Sequence, residues 1–238
     1  MNKATKLAAA ALLLLTVSIL AYAGWQYARD ARDNEVSDAQ TLIKPEPEPE
    51  PGGEPPPMDF TGLQKENPEI VGWISIPRLG IDYPVVQGTD NSYYLTRTAQ
   101  RKTSKLGALF LDFRANKDFS DFNSVIYGHN MQSGRMFGTL RQMREQAAFD
   151  RVKEGTLSTP GGTYRLEIFA VVAADSRSRF YDYIFASPDS KTAHLDMVRA
   201  QAIFYRGIGV TADDRILALS TCSYEYIDAR TLVIARIV

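Results

Sequence analysis

The chain closes on two short apolar runs, Ile216 to Leu219 and Leu232 to Ile237, separated by a polar stretch. Runs this short, rich in β-branched residues and bounded by charged ones, read as an antiparallel strand pair rather than as helices. Cys222, the single cysteine of the 238-residue chain, falls where the first strand ends, and Arg230 falls where the second begins. A hairpin over Ser223 to Ala229 therefore returns a guanidinium to the neighbourhood of a thiol. That pairing favours the thiolate and can hold an oxyanion. The same two residues also suit a small buried core cysteine and a surface arginine. One cysteine admits no intrachain disulfide, so a packed core must hold the fold.

Further short apolar stretches precede this pair at modest spacing. Val71 to Ile76 stops at Pro77, Ile81 to Val86 stops at Gly88, and Gly107 to Phe113, Ser124 to Tyr127 and Tyr164 to Ala173 follow. Together they predict a mainly β domain of seven or eight strands, a barrel or sandwich, with Gly161-Gly162 as a hairpin turn. Asp59 can cap a short helix ending near Glu66, before Pro68. Phe137, Leu140, Met143 and Ala147 predict an amphipathic helix after the fourth strand, and Leu195, Val198, Ala202 and Tyr205 predict a second over Ser190 to Arg206. The second helix sits inside a long connection from Ala173 to Asp214, of the kind that often forms a binding wall or lid.

The N-terminus is built differently. Lys3 and Lys6 precede an uncharged run from Leu7 to Trp25. About twenty residues of helix cross a bilayer core, so the run reads as a signal-anchor with residues 1–6 in the cytoplasm. Ala21-Tyr22-Ala23 leaves a cleaved signal peptide as the alternative. Either way the remainder lies outside the cytoplasm. Residues 26–57 are polar and end in alternating Pro and Glu from Lys44 to Pro51, which makes an extended spacer with nothing to bury. The folded domain is expected over 58–238. A net charge of -1 gives no reason to expect a nucleic-acid partner.

Two histidines are available for proton transfer. His129 ends a predicted strand in Tyr127-Gly128-His129-Asn130-Met131, where a substrate can reach it. His194 falls in the second predicted helix and reads as a solvated or half-buried helix residue. No Cys-x-x-Cys, His-Glu-x-x-His or phosphate-binding glycine loop is present, so neither a metal nor another cofactor is expected. Cysteine, histidine and arginine together fit acyl transfer through a thioester.

Leu219-Ser220-Thr221-Cys222 with Arg230 eight positions on, and Tyr127-Gly128-His129-Asn130-Met131 upstream, resemble the sortases, cysteine transpeptidases of Gram-positive surfaces. Asn67-Pro68-Glu69-Ile70-Val71-Gly72-Trp73-Ile74, Tyr83-Pro84-Val85-Val86-Gln87-Gly88, Asp90-Asn91-Ser92-Tyr93-Tyr94-Leu95 and Ser133-Gly134-Arg135-Met136-Phe137-Gly138 are similar to the class B branch. The resemblance spans about Asp59 to Val238. It implies an eight-stranded sortase-type β-barrel with an N-terminal helix and a helical insertion before the cysteine strand. It further implies Cys222 as nucleophile, His129 as general acid and base, Arg230 as oxyanion partner, and Leu95, Tyr183, Ile184 and Ser220 lining the substrate groove.

The implied reaction cleaves an Asn-Pro-x-Thr type sorting signal after Thr and joins the surface protein to an amine of peptidoglycan or its lipid-linked precursor. Pilus polymerisation, hydrolytic endopeptidase activity and a non-catalytic binding domain remain open as alternatives. Ala218 departs from the pattern, since sortases usually carry threonine there. Glu225 is a candidate for orienting His129, or an exposed loop carboxylate without a role.

Overall fold

The computed structural model describes residues 12–25, 27, 58–222 and 228–238. Residues 1–11, nearly all of the expected spacer at 26–57, and Glu225 lie outside the described residues. The chain divides into two units at Thr41 and Leu42. In the first, residues 12–25 form a helix, α1, with every side chain exposed. Among the described residues no helix is long and apolar enough to cross a membrane. The part of the expected anchor that is described, residues 12–25, spans about 21 Å, against the ~30 Å of a bilayer core.

The second unit opens with α2 (Phe60–Glu66), capped by the Asp59 carboxylate, which accepts from Thr61 N and Gly62 N. Nine strands follow: β1 (Ile70–Ile76), β2 (Ile81–Val86), β3 (Leu109–Leu111), β4 (Asn123–Tyr127), β5 (Glu154–Thr159), β6 (Gly162–Asp175), β7 (Ala202–Tyr205), β8 (Arg215–Cys222) and β9 (Ala229–Ile237). They run in the order β5-β1-β2-β3-β4-β8-β9-β6, and β5 pairs again with β6, which closes an eight-stranded barrel. β7 is an extra strand on β6.

That extra strand has a structural cause. β6 is long enough to serve two partners on one side. Its first half pairs with β5 as far as Glu167, and β7 then covers Ala170 to Val172. The expected helix over Ser190 to Arg206 accordingly stops early, as α4 (Pro188–Gln201), and Ala202 to Tyr205 become strand. β5 escapes pattern reading because Leu157 is its one large apolar residue; Gly155, Ser158 and Thr159 fill its other buried positions. The helix expected around Phe137 is a 3-10 helix, Gly138–Arg144, followed by the short α3 (Gln146–Arg151). Phe137, Leu140 and Met143 recur every three residues, which is the period of that tighter helix.

Apolar side chains pack in three places. Leu217, Leu219, Val233, Ala235 and Ile126 fill the barrel interior with Phe137, Leu140 and Met143. Alternate residues of the same strands, Val125, Ile216, Ala218, Leu232 and Ile234, face the other way and are covered by Phe180 and Val198 of the β6–β8 insertion. Trp73, Val86 and Phe110 form a third group under Phe60 and Leu63 of α2. The outer face of β4-β8-β9 is therefore roofed by the insertion, and the roof stops short of the strand ends.

Candidate active site

Strand registers bring the reactive residues together at that uncovered end. β8 and β9 are antiparallel, and Cys222 is the direct partner of Arg230. Directly opposed residues stand about 4.5–5.5 Å apart at Cα with side chains on one face. β4 and β8 are parallel, pairing Val125 with Ala218 and Tyr127 with Ser220. Carried two residues beyond β4, the same offset sets His129 beside Cys222. Ala218, Ser220 and Cys222 share the outer face with Tyr127.

A cleft of about 380 Å³ opens there, lined by His129, Cys222, Arg230, Leu95 and Ser220, among others. Its floor is aromatic. The Tyr127 ring stacks on Tyr181 at 6.0 Å and 10°, and leans on Phe110 at 5.3 Å. The Tyr181 and Ser220 hydroxyls are 2.8 Å apart and hydrogen-bonded. Burial pushes the Tyr181 phenol up to about 12, with the Ser220 bond opposing, so the ring is a neutral wall at physiological pH. Burial raises the Tyr127 phenol still more, and its hydroxyl donates to Asp112 Oδ2 at 2.9 Å. Asp112 is buried, which disfavours its charge, but hydrogen bonds led by Arg114 hold it ionised and below the usual carboxylate range. Arg114 grips both carboxylate oxygens, at 2.9 and 2.7 Å.

His129 is fixed through its ring. Nε2 lies 2.7 Å from the Leu95 carbonyl oxygen. A carbonyl only accepts, so Nε2 carries a proton, and Nδ1 is the nitrogen left for proton exchange. The 3-10 turn Tyr93–Leu95 delivers that carbonyl, so Leu95 contributes backbone to the site as well as a rim side chain. Arg230 donates to the Ala229 carbonyl at 2.9 Å, and among the described residues no carboxylate pairs with it. Its guanidinium retains donors for an incoming oxygen.

Tyr183 and Ile184 lie outside the cleft lining. Tyr183 packs under the Arg114 guanidinium at 4.1 Å, and Ile184 is 72% exposed. Ala218 is buried beneath the insertion, so the missing threonine hydroxyl bears on packing there and not on the cleft surface. His194 is 1% exposed and sits on the buried face of α4 with Val198, not in solvent or half-buried as the helix pattern suggested. Asn91, Phe110, Tyr127, Ser176 and Tyr181 line the cleft without having been singled out as site residues from sequence. Tyr127 was within reach, since it stands two residues before His129 and so on the same face. Phe110 comes from β3, while Asn91, Ser176 and Tyr181 arrive from separate connections between strands, and no local pattern marks any of the four as a site residue.

A family model described as Sortase domain matches residues 74–238. A Listeria monocytogenes protein named Sortase B is 30% identical over 221 residues, which cover 90% of this chain and 89% of that one. A crystal structure of a Bacillus anthracis protein described as similar to sortase B superposes with a TM-score of 0.72 at 30% identity, covering 90% of this chain and 96% of that one. A Streptococcus pyogenes class B sortase described as involved in pilus biogenesis superposes at 0.69 with 32% identity, over 76% of this chain and 98% of the other.

Proposed function

Because the chain belongs to the sortase family, in its class B branch, and is therefore a cysteine transpeptidase, we propose that Cys222, His129 and Arg230 are its reacting set. The observation that carries this reading is the register that aligns the ends of β4, β8 and β9 on one cleft. The substrate is a surface protein with an Asn-Pro-x-Thr type sorting signal, and the acceptor is an amine of peptidoglycan or its lipid-linked precursor.

The Cys222 thiolate attacks the threonine carbonyl carbon, and the Arg230 guanidinium receives the developing oxyanion. Collapse breaks the peptide bond, and His129 gives its Nδ1 proton to the departing amine. The acceptor amine then attacks the thioester, His129 takes up its proton, and the thiolate leaves. Leu95 and Ser220 contact the signal inside the cleft, while Tyr183 and Ile184 meet it at the outer rim.

Residues 58–238 act as the catalytic domain, 26–57 as an extracytoplasmic spacer, and 7–25 as a single-pass anchor with 1–6 in the cytoplasm. Two features of α1 favour the anchor. Thr16 Oγ1 and Ser18 Oγ donate to carbonyls one turn back, at 2.8 Å each, which satisfies hydroxyls that lipid would leave unpaired. Tyr22 and Trp25 stand together near the helix end, 6.1 Å apart, as aromatic residues do at a bilayer interface.

The test incubates the full chain in detergent with Asn-Pro-x-Thr and Leu-Pro-x-Thr peptides, with and without peptidoglycan-like amines, and follows the products by mass spectrometry. Cleavage after Thr through an adduct on Cys222, lost in Cys222→Ala, is expected, with ligated product when amine is present. Hydrolysis that no amine diverts would make the chain an endopeptidase, and full activity of Cys222→Ala would remove the assignment. Pilus polymerisation is a second reading, favoured by the similarity to the S. pyogenes enzyme, and transfer to a pilin lysine in preference to wall amines would select it.

A further inference from the structure

β4 ends at Tyr127, yet the chain beyond it stays bound to β8 by a different means. Gly128 N donates to the Ser220 carbonyl at 3.1 Å, the last backbone bond of the ladder. Thr221 Oγ1 then donates to the Gly128 carbonyl at 2.8 Å, and Asn130 Nδ2 donates to the Cys222 carbonyl at 2.7 Å. Side chains thus take over where the backbone ladder stops.

Asn130 is itself held from the opposite side. It bridges Met136, and Phe137 N donates to the His129 carbonyl at 3.1 Å. Phe137 is fully buried and packs into the barrel interior. Gly128 is pressed so closely on this ring that an added Cβ would stand 2.7 Å from it. The His129–Asn130 backbone is accordingly anchored to the core, and Asn130 passes that anchorage to the last residue of β8.

We propose that Asn130 is a positioning residue for the nucleophile, its side-chain amide holding the Cys222 backbone in register with His129. This rests on the reading of Cys222 and His129 as reacting groups. Among the described residues, the Asn130 amide donates to the Cys222 backbone carbonyl and not to its thiol. It ties the backbone of one reacting residue to the segment that carries the other, and a displacement of about 1 Å between reacting groups can cost on the order of 100-fold in rate.

The test compares Asn130→Ala with Asn130→Asp in the full chain. Alanine removes the tether; aspartate keeps its shape but turns an oxygen toward the Cys222 carbonyl in place of a donor. Both are expected to lower kcat for the sorting peptide by about 10- to 100-fold, with KM within about twofold. Both are also expected to slow alkylation of Cys222 by iodoacetamide by about threefold or more, a reading that needs no peptide. Wild-type kcat in either variant, or loss in alanine alone, would overturn the proposal, since the second outcome means that only volume matters. A wild-type chain that turns over no peptide while its variants alkylate slowly would sink the sorting reading and leave the tether standing. If Asn130→Ala does not fold, Asn130→Ser, too short to reach Cys222, takes its place under the same criteria.

Discussion

His194 makes the stability of the insertion depend on pH. Its ring lies in a cage of aromatic edges, with Phe185 at 5.2 Å, Phe122 at 6.0 Å and Phe180 at 6.4 Å, and among the described residues Nδ1 has no hydrogen-bond partner. Burial lowers its pKa to about 4; Asp182 opposes the shift and Arg179 adds to it. An unfolded histidine titrates near 6.5, so below that pH the unfolded chain takes up a proton that the folded chain refuses. Stability is complete above about pH 6.5 and falls as the pH drops toward 4. The loss comes to about 2 kcal/mol at pH 5 and about 3 kcal/mol at pH 4. Depressed carboxylates such as Asp112 and Glu167 lose their contribution at lower pH, leaving the interval from 6.5 to 5 mainly to histidine. His194→Phe suits the cage and cannot protonate. Thermal melting of both chains at pH 7.5 and pH 5 should show wild type losing about 4–8 °C more than the variant. Equal losses in the two chains would refute the argument.

Three further substitutions probe the parts of the site. Arg230→Lys keeps the charge but loses the planar fork, and turnover of the sorting peptide should fall by about 100-fold with the melting temperature unchanged. Gly128→Ala places a Cβ 2.4 Å from Leu109 Cδ2 and 2.7 Å from Phe137 Cδ2, so Phe137 must move. Urea unfolding should show a loss of about 1–3 kcal/mol, and kcat should drop as His129 shifts. Asn123 Nδ2 donates to the Phe180 and Asp182 carbonyls at 3.1 and 2.9 Å, pinning the segment that carries Tyr181. Asn123→Ala should cost about 1–3 kcal/mol and raise KM more than it lowers kcat, as steady-state kinetics would read directly.

The strands legible in the sequence are those with dense apolar content. β8 and β9 alternate between two buried faces, so both appear as continuous apolar runs that need no partner to be recognised. β5 was hidden because its buried positions hold Gly, Ser and Thr, and β7 because the apolar spacing of α4 runs on into it without a breaking residue. The three residues proposed to react stand near the ends of recognisable strands: Cys222 closes β8, Arg230 is second in β9, and His129 lies two residues past β4. The cleft floor was not legible. Tyr181 and Asn91 reach it through long connections whose path depends on contacts such as Asn123 to Phe180 and Asn91 to Asp112, and spacing along the chain carries no record of these.

The apolar core alone does not determine the site. Leu217, Leu219, Val233 and Ala235 turned inward decide which face of β8 and β9 carries Cys222 and Arg230, because a slip of one residue would exchange the faces. A slip of two residues between β4 and β8 would keep every face and still move His129 about 6.6 Å along the strand from Cys222. Facial alternation cannot prevent that slip; contacts that name individual residues can. Tyr181 on Ser220, Thr221 on Gly128 and Asn130 on Cys222 supply three such contacts within three consecutive residues of β8. The polar groups at the strand ends therefore set the β4–β8 register that the apolar core leaves open, and they do so where two residues of error would separate the thiol from the imidazole.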